Sequence, residues 1–169
     1  MDVDELKALQ APLKAKYRND PAAARITLKA KGVAGTDHIT CKLETGRAIA
    51  EAGLHPATGG SGLELCSGDL LLEALVACAG VTIKAVATAL AVPLGKVEIF
   101  AEGDLDFKGT LGVDKTARVG FEAIRLRFEV ETTAPKDQLD TLLRLTERYC
   151  VVFQTLSNSP TVSAELQTV

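Results

Sequence analysis

Residues 66–90 read CSGDLLLEALVACAGVTIKAVATAL, an apolar stretch interrupted by two cysteines and three charged side chains. Its longest run without a charge lies between Glu73 and Lys84 and spans ten residues. A helix that crosses a bilayer needs about 18–20 such residues. The stretch is therefore predicted to be a core helix of a globular protein rather than a membrane span.

The limits of this helix carry recognisable end signals. Ser67 is the expected N-cap, Asp69 lies in the first turn where the helix dipole favours an acid, and Pro93 follows the far end. Nearly every face between these limits is apolar or small. The helix must therefore be covered by the rest of the chain, by a second subunit, or by both.

Composition limits the class of protein. The 169 residues are 47% hydrophobic and 24% charged, enough for one compact domain or two small halves that share a core. The net charge of -3 comes from interspersed charges, which offer no basic patch to nucleic acid or anionic lipid. The N-terminus, MDVDELKALQ, lacks the features of a signal peptide. We expect a cytoplasmic protein without nucleic-acid or membrane partners, whose cysteines form at most a transient disulfide.

The segments before the long helix alternate with the period of β-strands. Residues 25–34 and 38–46 place apolar side chains at every second position, and the loop GVAGTD joins them. A short third strand is expected around Arg47 to Glu51. The stretch 53–62, rich in Gly, Pro and Ser, is predicted to be a loop that leads into the helix.

A hairpin and a second helix are predicted after the long helix. Residues 95–107 and 120–132 form the hairpin, which has a long tip, and residues 134–156 form a helix opened by Pro135. The apolar stripe of this helix runs through Leu139, Leu142, Leu143, Thr146, Cys150 and Phe153. Residues 161–169 are expected to form a closing strand.

The order of these elements predicts an α+β fold in which antiparallel sheets pack on two central helices. Residues 1–21 are predicted to be an N-terminal helical extension, with its helix over residues 4–18. Residues 22–169 are predicted to form a single domain. Its first half, 22–66, holds strands, and its second half, 67–169, runs helix, hairpin, helix and strand.

The four cysteines differ in their expected surroundings. Cys41 faces inward on a strand, where a cysteine is normally a small hydrophobe. Cys66 stands just before a helix N-terminus, a position that lowers the pKa of a thiol. About 18 Å of helix separates Cys66 from Cys78, so Cys66 can pair only with a thiol of another segment or subunit. Cys78 and Cys150 are both expected to point into the same interior, and spacing alone leaves open whether they pack or react.

The sequence carries no metal or nucleotide signature. His38 and Cys41 are three apart on a predicted strand, whose period of two sends them to opposite faces. CxxC, HExxH, phosphate-loop, GxSxG and dinucleotide motifs are all missing from the sequence. Nothing arranges His38 or His55 into a Ser-His-Asp hydrolase site.

Three segments together resemble the OsmC/Ohr family, the osmotically inducible and organic-hydroperoxide-resistance proteins: CSGDLLLEALVACAGVTIKAVA, GFEAIRLRFEVET and LTERYCVVFQTL. The family pattern has an acidic residue that opens a long central helix and a cysteine about nine or ten residues later. A second cysteine follows an E-x-x-C pattern in the later helix. The matching residues here are Asp69, Cys78, Glu147 and Cys150. The resemblance covers residues 22–168 in order and spacing.

This resemblance implies a thiol peroxidase that reduces organic hydroperoxides to alcohols in oxidative-stress defence. The implied assembly is an intertwined homodimer with active sites at the subunit interface. Cys78 would be the peroxidatic thiolate, whose sulfenic acid condenses with the resolving Cys150 to form a disulfide. The reductant in the family is a dihydrolipoyl group or another small dithiol, and neither a bound cofactor nor a metal is implied.

The resemblance also implies an arginine–glutamate pair that activates the thiolate, and the sequence departs from it. The loop GVAGTD holds no arginine, and Gly68 occupies the glutamate position. Asp69 is expected to hold a cation from elsewhere, although a first-turn acid also favours the helix dipole by itself. Arg47 is the predicted cation, with a solvated charge at a strand edge as its alternative. The other arginines considered are Arg25, Arg118 and Arg148.

Two other functions remain open. The first is a binding protein that holds an apolar small molecule at the dimer interface, with Cys78 and Cys150 merely packed. The missing loop arginine favours this alternative, whereas both cysteines at family spacing favour the enzyme. The second is a thiol redox sensor, in which the disulfide is a signal rather than an intermediate of turnover.

Overall fold

Two small β-sheets and a set of helices make up the structure, a computed structural model. It describes residues 2–5, 7, 8, 10, 11, 19, 32–34, 40–44, 49–112 and 114–168, with the backbone alone at 32–34, 40–44 and 49–50. The strands are β1 (Gly32–Ala34), β2 (Thr40–Glu44), β3 (Ile49–Gly53), β4 (Leu65–Cys66), β5 (Val97–Leu105) and β6 (Phe121–Val130). The helices are α1 (Ser67–Leu90), α2 (Phe107–Thr110), α3 (Lys136–Tyr149) and α4 (Val151–Ser157).

The first sheet has the order β1-β2-β3-β4, in which β1, β2 and β3 are antiparallel and β4 runs parallel to β3. The predicted third strand is confirmed, at β3, and the expected loop before α1 contains a 3-10 turn at Pro56–Thr58. The two-residue strand β4 was not predicted. Residues 25–31, which carry most of the first predicted strand, lie outside the described part of the chain.

The second sheet is the predicted hairpin, β5 paired antiparallel with β6, with α2 in its long tip. Along β6 the side chains of Ile124, Leu126, Phe128 and Val130 are half-buried, and the charged residues between them are exposed. This alternation is the one predicted from the sequence, because successive side chains of a strand point to opposite faces.

Helix α1 packs one face against this hairpin and against the helices that follow it. Leu75, Ala79, Ile83 and Val86 recur every three or four residues and are all buried. Burial of a large apolar side chain of this kind contributes about 1.5–3 kcal/mol to stability. Leu142 of α3 joins the same core, which fixes α3 against the C-terminal half of α1.

The opposite face of α1 is exposed at Ala74, Ala77, Val81 and Lys84, and Val81 is 73% exposed. By length and composition alone α1 is apolar enough to cross a membrane, with a mean hydropathy of 2.0 over its best 18-residue window. The sequence requires α1 to be covered on most sides, and the described chain covers only one.

Three predictions about helix and strand ends need correction. The N-cap of α1 is Cys66 rather than Ser67, because Cys66 pairs with Gly53 in β4 and therefore keeps an extended backbone. The predicted helix over residues 134–156 is broken at Cys150, whose φ of -74° and ψ of 108° are extended. Gln154 Nε2 donates a hydrogen bond to the Glu147 carbonyl oxygen, which satisfies an acceptor that the break leaves unpaired.

The closing strand predicted at residues 161–169 is the third correction. Residues 159–168 have no regular secondary structure, and Val162 and Leu166 are 84% and 92% exposed. The alternating pattern shows which side chains would share a face, but a strand forms only where a sheet edge accepts its backbone hydrogen bonds. Within the described residues the segment meets no such edge.

The N-terminal extension is described in part. Residues 3–5, 7, 8, 10 and 11 are helical, which agrees with the predicted helix over 4–18, whose remaining residues are outside the described set. The boundary at residues 21 and 22 also lies outside it, so the division into domains stays a prediction.

Candidate active site

Cys78 and Cys150 meet in the interior, as the sequence predicted. Cys78 is half-buried in the middle of α1, and Cys150 is fully buried at the junction of α3 and α4. Both are free thiols that pack in one apolar cluster, where each shifts the pKa of the other. Leu75 and Ala79 of α1 belong to the apolar cluster that surrounds them.

Hydrogen-bond donors converge on Cys78 Sγ. Burial by itself raises the pKa of this thiol, because an apolar surrounding disfavours the thiolate. The amide of Val152 and then the thiol of Cys150 donate hydrogen bonds that oppose this effect. The amide of Val151 and the hydroxyl of Thr82 add weaker ones. Together the donors outweigh burial, and the pKa of Cys78 lies below its usual range.

The second thiol shifts in the opposite direction. Burial raises the pKa of Cys150, and the amide of Phe153 opposes this only in part. The hydrogen bond and the negative charge of Cys78 raise the pKa of Cys150 further. The two opposite shifts favour the thiolate on Cys78 and the protonated thiol on Cys150.

The break in the helix at Cys150 is the reason that the amides of Val151 and Val152 can donate to Cys78. The first amides of a helix have no acceptor within it, because the preceding residues are not helical. Here Val151 and Val152 begin α4 beside Cys78, and Cys150 donates its own amide to Thr146 of α3, at 2.9 Å. A continuous helix would have used the amides of Val151 and Val152 for its own ladder.

Asp69 lies away from this pair. It precedes Cys78 by nine residues, which in an α-helix is about 13.5 Å and half a turn around the axis. Its exposed carboxylate lines a cavity of about 390 Å³ at the start of α1, together with His55, Cys66 and Phe107. The rings of His55 and Phe107 stack there at 5.0 Å. Within one chain the structure therefore does not bring Asp69 to Cys78.

The arginine predicted to pair with Asp69 cannot be placed. Arg47 lies outside the described residues, as do Arg25, His38 and the side chain of Cys41. Arg118 is exposed in the hairpin tip and lines a cavity of about 250 Å³ with Leu75 and Phe153. Arg148 lies over the ring of Tyr149, at 5.8 Å. Among the groups that act on Cys78 in the described chain, none is an arginine or a lysine.

An apolar groove runs along α1 from Val81 and Thr82, about one helical turn after Cys78. It encloses about 510 Å³ between α1 and α3. Its walls include Val81, Thr82, Ala85, Val86, Ala89, Leu90, Leu145 and Tyr149. Thr82, whose Oγ1 donates a hydrogen bond of 2.7 Å to the Cys78 carbonyl oxygen, lines this groove, whereas Cys78 and Cys150 do not. In the described part of the chain no three His, Cys, Asp or Glu side chains come close enough to bind a metal ion.

Sequence reasoning missed three contributors to the site. The amides of Val151 and Val152 have no side-chain signature, and the pattern of apolar residues continues through the break. Thr82 did carry a signal, because a residue four positions after Cys78 lies on the same face of the helix. The Thr82 hydroxyl could therefore have been predicted from the sequence as a neighbour of the Cys78 thiol.

Comparison with known proteins identifies the family. The model for "OsmC-like protein" matches residues 59–165. Search of the curated proteins found no match.

Several solved structures share the fold. An OsmC-like protein from Mycoplasma pneumoniae is 16% identical, with 79% of this chain and 89% of that chain covered and a TM-score of 0.65. The organic hydroperoxide resistance protein OsmC from Legionella pneumophila is 19% identical over 80% of this chain and 92% of its own, with a TM-score of 0.62. An organic hydroperoxide resistance protein from Elizabethkingia anophelis is 15% identical over 80% and 91%, with a TM-score of 0.62. With a family match over more than half of its length, the chain belongs to the OsmC-like protein family.

Proposed function

We propose that the protein is a cysteine-based thiol peroxidase that reduces organic hydroperoxides to alcohols in oxidative-stress defence. The observation that carries this proposal is the unequal thiol pair, Cys78 with a lowered pKa and Cys150 with a raised one. A peroxidase needs a thiolate as nucleophile and a second thiol that stays protonated until the first has reacted. Family membership supports the same reaction class.

The proposed cycle uses the two protein thiols, the peroxide and an external dithiol. Cys78 thiolate attacks the distal oxygen, the O–O bond breaks, and Cys78 becomes a sulfenic acid while the alkoxide leaves. The alkoxide takes up a proton and departs as the alcohol. Cys150 sulfur then attacks Cys78 sulfur, which forms the disulfide and releases water. An external dithiol, of the dihydrolipoyl type, restores both thiols by thiol–disulfide exchange. Neither a cofactor nor a metal takes part in this scheme.

The catalytic residues proposed are Cys78 as peroxidatic and Cys150 as resolving cysteine. Asp69 and Arg47 stay candidates for the activating pair, and in this proposal they would act on Cys78 only across subunits or through a rearranged loop. Within the chain, the amides of Val151 and Val152 take over stabilisation of the thiolate. Backbone donors suit a buried thiolate because they are fixed in place by the helix and carry no charge that must itself be desolvated.

The same proposal includes a cytoplasmic homodimer. The exposed apolar face of α1 and the unpaired alternating segment at residues 159–168 both lack cover within the chain. A second copy that packs its α1 against this face would bury the exposed apolar side chains of α1. Exchange of strands between the two copies would pair residues 159–168 with a sheet edge of the other copy. Val81→Asp should then dissociate the dimer in analytical ultracentrifugation. Val119→Asp, at an equally exposed valine in the hairpin tip, should leave it intact. A wild-type chain that sediments as a monomer would contradict the proposed assembly.

A binding protein for an apolar small molecule is the second candidate. The groove of about 510 Å³ between α1 and α3, with its mainly apolar walls, favours it. Such a protein would bind a hydrophobic probe whether or not its thiols are oxidised, and it would consume no peroxide.

The deciding experiment is a thiol count on the reduced protein before and after one equivalent of cumene hydroperoxide, with peptide mapping and a dithiol turnover assay. The peroxidase account expects rapid loss of two thiols as a Cys78–Cys150 disulfide, and continued peroxide consumption when dihydrolipoamide is supplied. A disulfide that forms but does not turn over would point to the redox sensor. Survival of all thiols at peroxide excess would favour the binding protein.

A further inference from the structure

The helix break between α3 and α4 contains none of the residues that usually break a helix. Neither a proline nor a glycine occurs between residues 136 and 157. Sharp breaks without them arise where a side chain inserts into the backbone hydrogen-bond ladder. Here the inserted side chain is that of Gln154, whose Nε2 donates a hydrogen bond of 2.9 Å to the Glu147 carbonyl oxygen.

The Glu147 carbonyl oxygen is the acceptor that an unbroken helix would offer to the Val151 amide, because each amide of an α-helix donates to the carbonyl four residues earlier. In the described C-terminal part of the chain the Val151 amide does not make this bond. The backbone bonds on either side are intact: Cys150 donates to Thr146, and Gln154 donates to Cys150, each at 2.9 Å. The side-chain amide of Gln154 thus takes the place of one backbone amide.

The half-buried side chain of Gln154 is held at both ends of its amide. While Nε2 donates to Glu147, Oε1 accepts a hydrogen bond of 3.2 Å from Asn158 Nδ2. One end of a side-chain amide only donates and the other only accepts, so these two partners fix which end faces the break. The side chain therefore ties the first turn of α4 to the last turn of α3.

The position of Cys150 depends on this junction. Cys150 is fully buried in the apolar cluster against which Cys78 packs, and Val152 and Phe153 of α4 pack against the same cluster. Cys150 is also the residue with the extended backbone between the two helices. Since its φ and ψ set the direction of α4, a return to helical angles would move the Cys150 sulfur relative to α1.

We propose that Gln154 is a positioning residue for the thiol pair: its side-chain amide, bonded to the Glu147 carbonyl oxygen, holds the break that places the Cys150 sulfur for bonding to Cys78. The inference deepens the proposed peroxidase function and rests on it for the role of the disulfide. Gln154 acts through Cys150 and takes no part in the chemistry. Without its donor, the Val151 amide can return to the Glu147 carbonyl oxygen, and the break is no longer held.

The test is the equilibrium of the Cys78–Cys150 disulfide with glutathione, resolved by mass spectrometry, in the full chain carrying Gln154→Met or Gln154→Glu. Two protein thiols and one glutathione disulfide exchange to give the protein disulfide and two glutathione thiols. Gln154→Met keeps the length of the side chain without the donor, and Gln154→Glu turns an oxygen toward the carbonyl. Both should make the disulfide easier to reduce by about three- to tenfold, or about 14–30 mV.

Gln138→Met provides the matched control. Gln138 is an exposed glutamine in the first turn of α3, at the end of that helix away from the break. The same substitution there removes the same side-chain amide from the same helical surroundings. It should leave the equilibrium as in the wild type.

An unchanged equilibrium in both Gln154 variants would overturn the proposal, and so would an equal shift in Gln138→Met. If Gln154→Met does not fold, as judged by circular dichroism, Gln154→Ala removes the same donor and is held to the same outcome.

The exchange with glutathione needs no peroxide, so the two proposals fail separately. A wild type that forms the disulfide but consumes no cumene hydroperoxide defeats the peroxidase, whereas an unshifted equilibrium in the Gln154 variants defeats only the role of Gln154. A wild type in which excess glutathione disulfide produces no Cys78–Cys150 disulfide would overturn both.

Discussion

Two regions of helix α1, its first turn and its middle, differ in what surrounds their cysteines. The first turn holds Cys66, with no side-chain capping bond, and Asp69, both at the rim of an open cavity. The middle holds Cys78, on which two amides, a thiol and a hydroxyl converge. Position along the sequence gave Cys66 the place expected to activate a thiol and left open whether Cys78 packs or reacts, and the family resemblance alone made Cys78 the peroxidatic thiol. The difference teaches that donors delivered by a neighbouring element can matter more for a thiol than its place in its own helix.

The largest expected effect comes from removing the central thiol. Cys78→Ser should reduce peroxide-driven thiol loss to the background rate, because Cys78 is the thiol whose pKa the surrounding donors lower. Cys66→Ser should retain rapid loss of two thiols. The measurement is a thiol count after addition of cumene hydroperoxide. If Cys66→Ser abolished the reaction instead, the roles of the two regions would be reversed.

Replacement of the second thiol should stop the cycle after its first step. In Cys150→Ser the serine hydroxyl can still donate to Cys78, so the first oxidation should proceed, but no disulfide can follow. Sulfenic acid on Cys78 should then accumulate and be trapped by dimedone, as detected by mass spectrometry. Wild type should show only a trace of this adduct. Undiminished turnover with dithiol in Cys150→Ser would remove Cys150 from the mechanism.

A single backbone donor can be deleted with Val151→Pro. Proline suits the first position of a helix, and the extended backbone of Cys150 already has the conformation that a following proline requires. Val151 is 70% exposed, so little packing is lost. Loss of this amide should slow Cys78 alkylation near neutral pH by about three- to tenfold. Val151→Ala, which keeps the amide, is the control and should match the wild type.

The smallest effect is expected at the first turn. Asp69→Asn should leave Cys78 alkylation and peroxide reduction within about twofold of wild type, because half a helical turn and about 13.5 Å separate the two residues. It should lower the free energy of unfolding by about 0.5 kcal/mol, since an acid near a helix N-terminus is stabilising. Urea denaturation measures the second value. A tenfold loss of peroxide reduction with unchanged stability would restore Asp69 to the active site.

Much of the fold could be predicted, because its signals are periodic. The alternation of Ile124, Leu126 and Phe128 predicted the inner face of β6, and the apolar length of residues 66–90 predicted α1. The break at Cys150 could not be predicted. The residues on either side of it, Thr146 and Phe153, continue the stripe of an unbroken helix, so the extended backbone leaves no trace in the pattern.

The candidate site was predicted in the same uneven way. Pairing of Cys78 with Cys150 followed from the family spacing, and the structure brings the two together. The prediction that Asp69 holds the activating cation stays a prediction, because Arg47 lies outside the described residues. Helix geometry puts Asp69 and Cys78, nine residues apart, on opposite sides of α1. The closing strand failed for another reason. The alternating sequence of residues 161–169 is suited to a β-strand, but the described residues include no sheet edge with which this segment pairs.

The most direct test of the account is the pH dependence of iodoacetamide alkylation at each cysteine of the wild-type protein, resolved by mass spectrometry. A thiol with a lowered pKa becomes thiolate at lower pH, so the rate at Cys78 should reach half its maximum below the usual thiol range. Cys150, with a raised pKa, should react only at higher pH, after Cys78 has ionised. A midpoint for Cys78 at or above the usual range, or one above that of Cys150, would contradict the claim that converging donors make Cys78 the nucleophile.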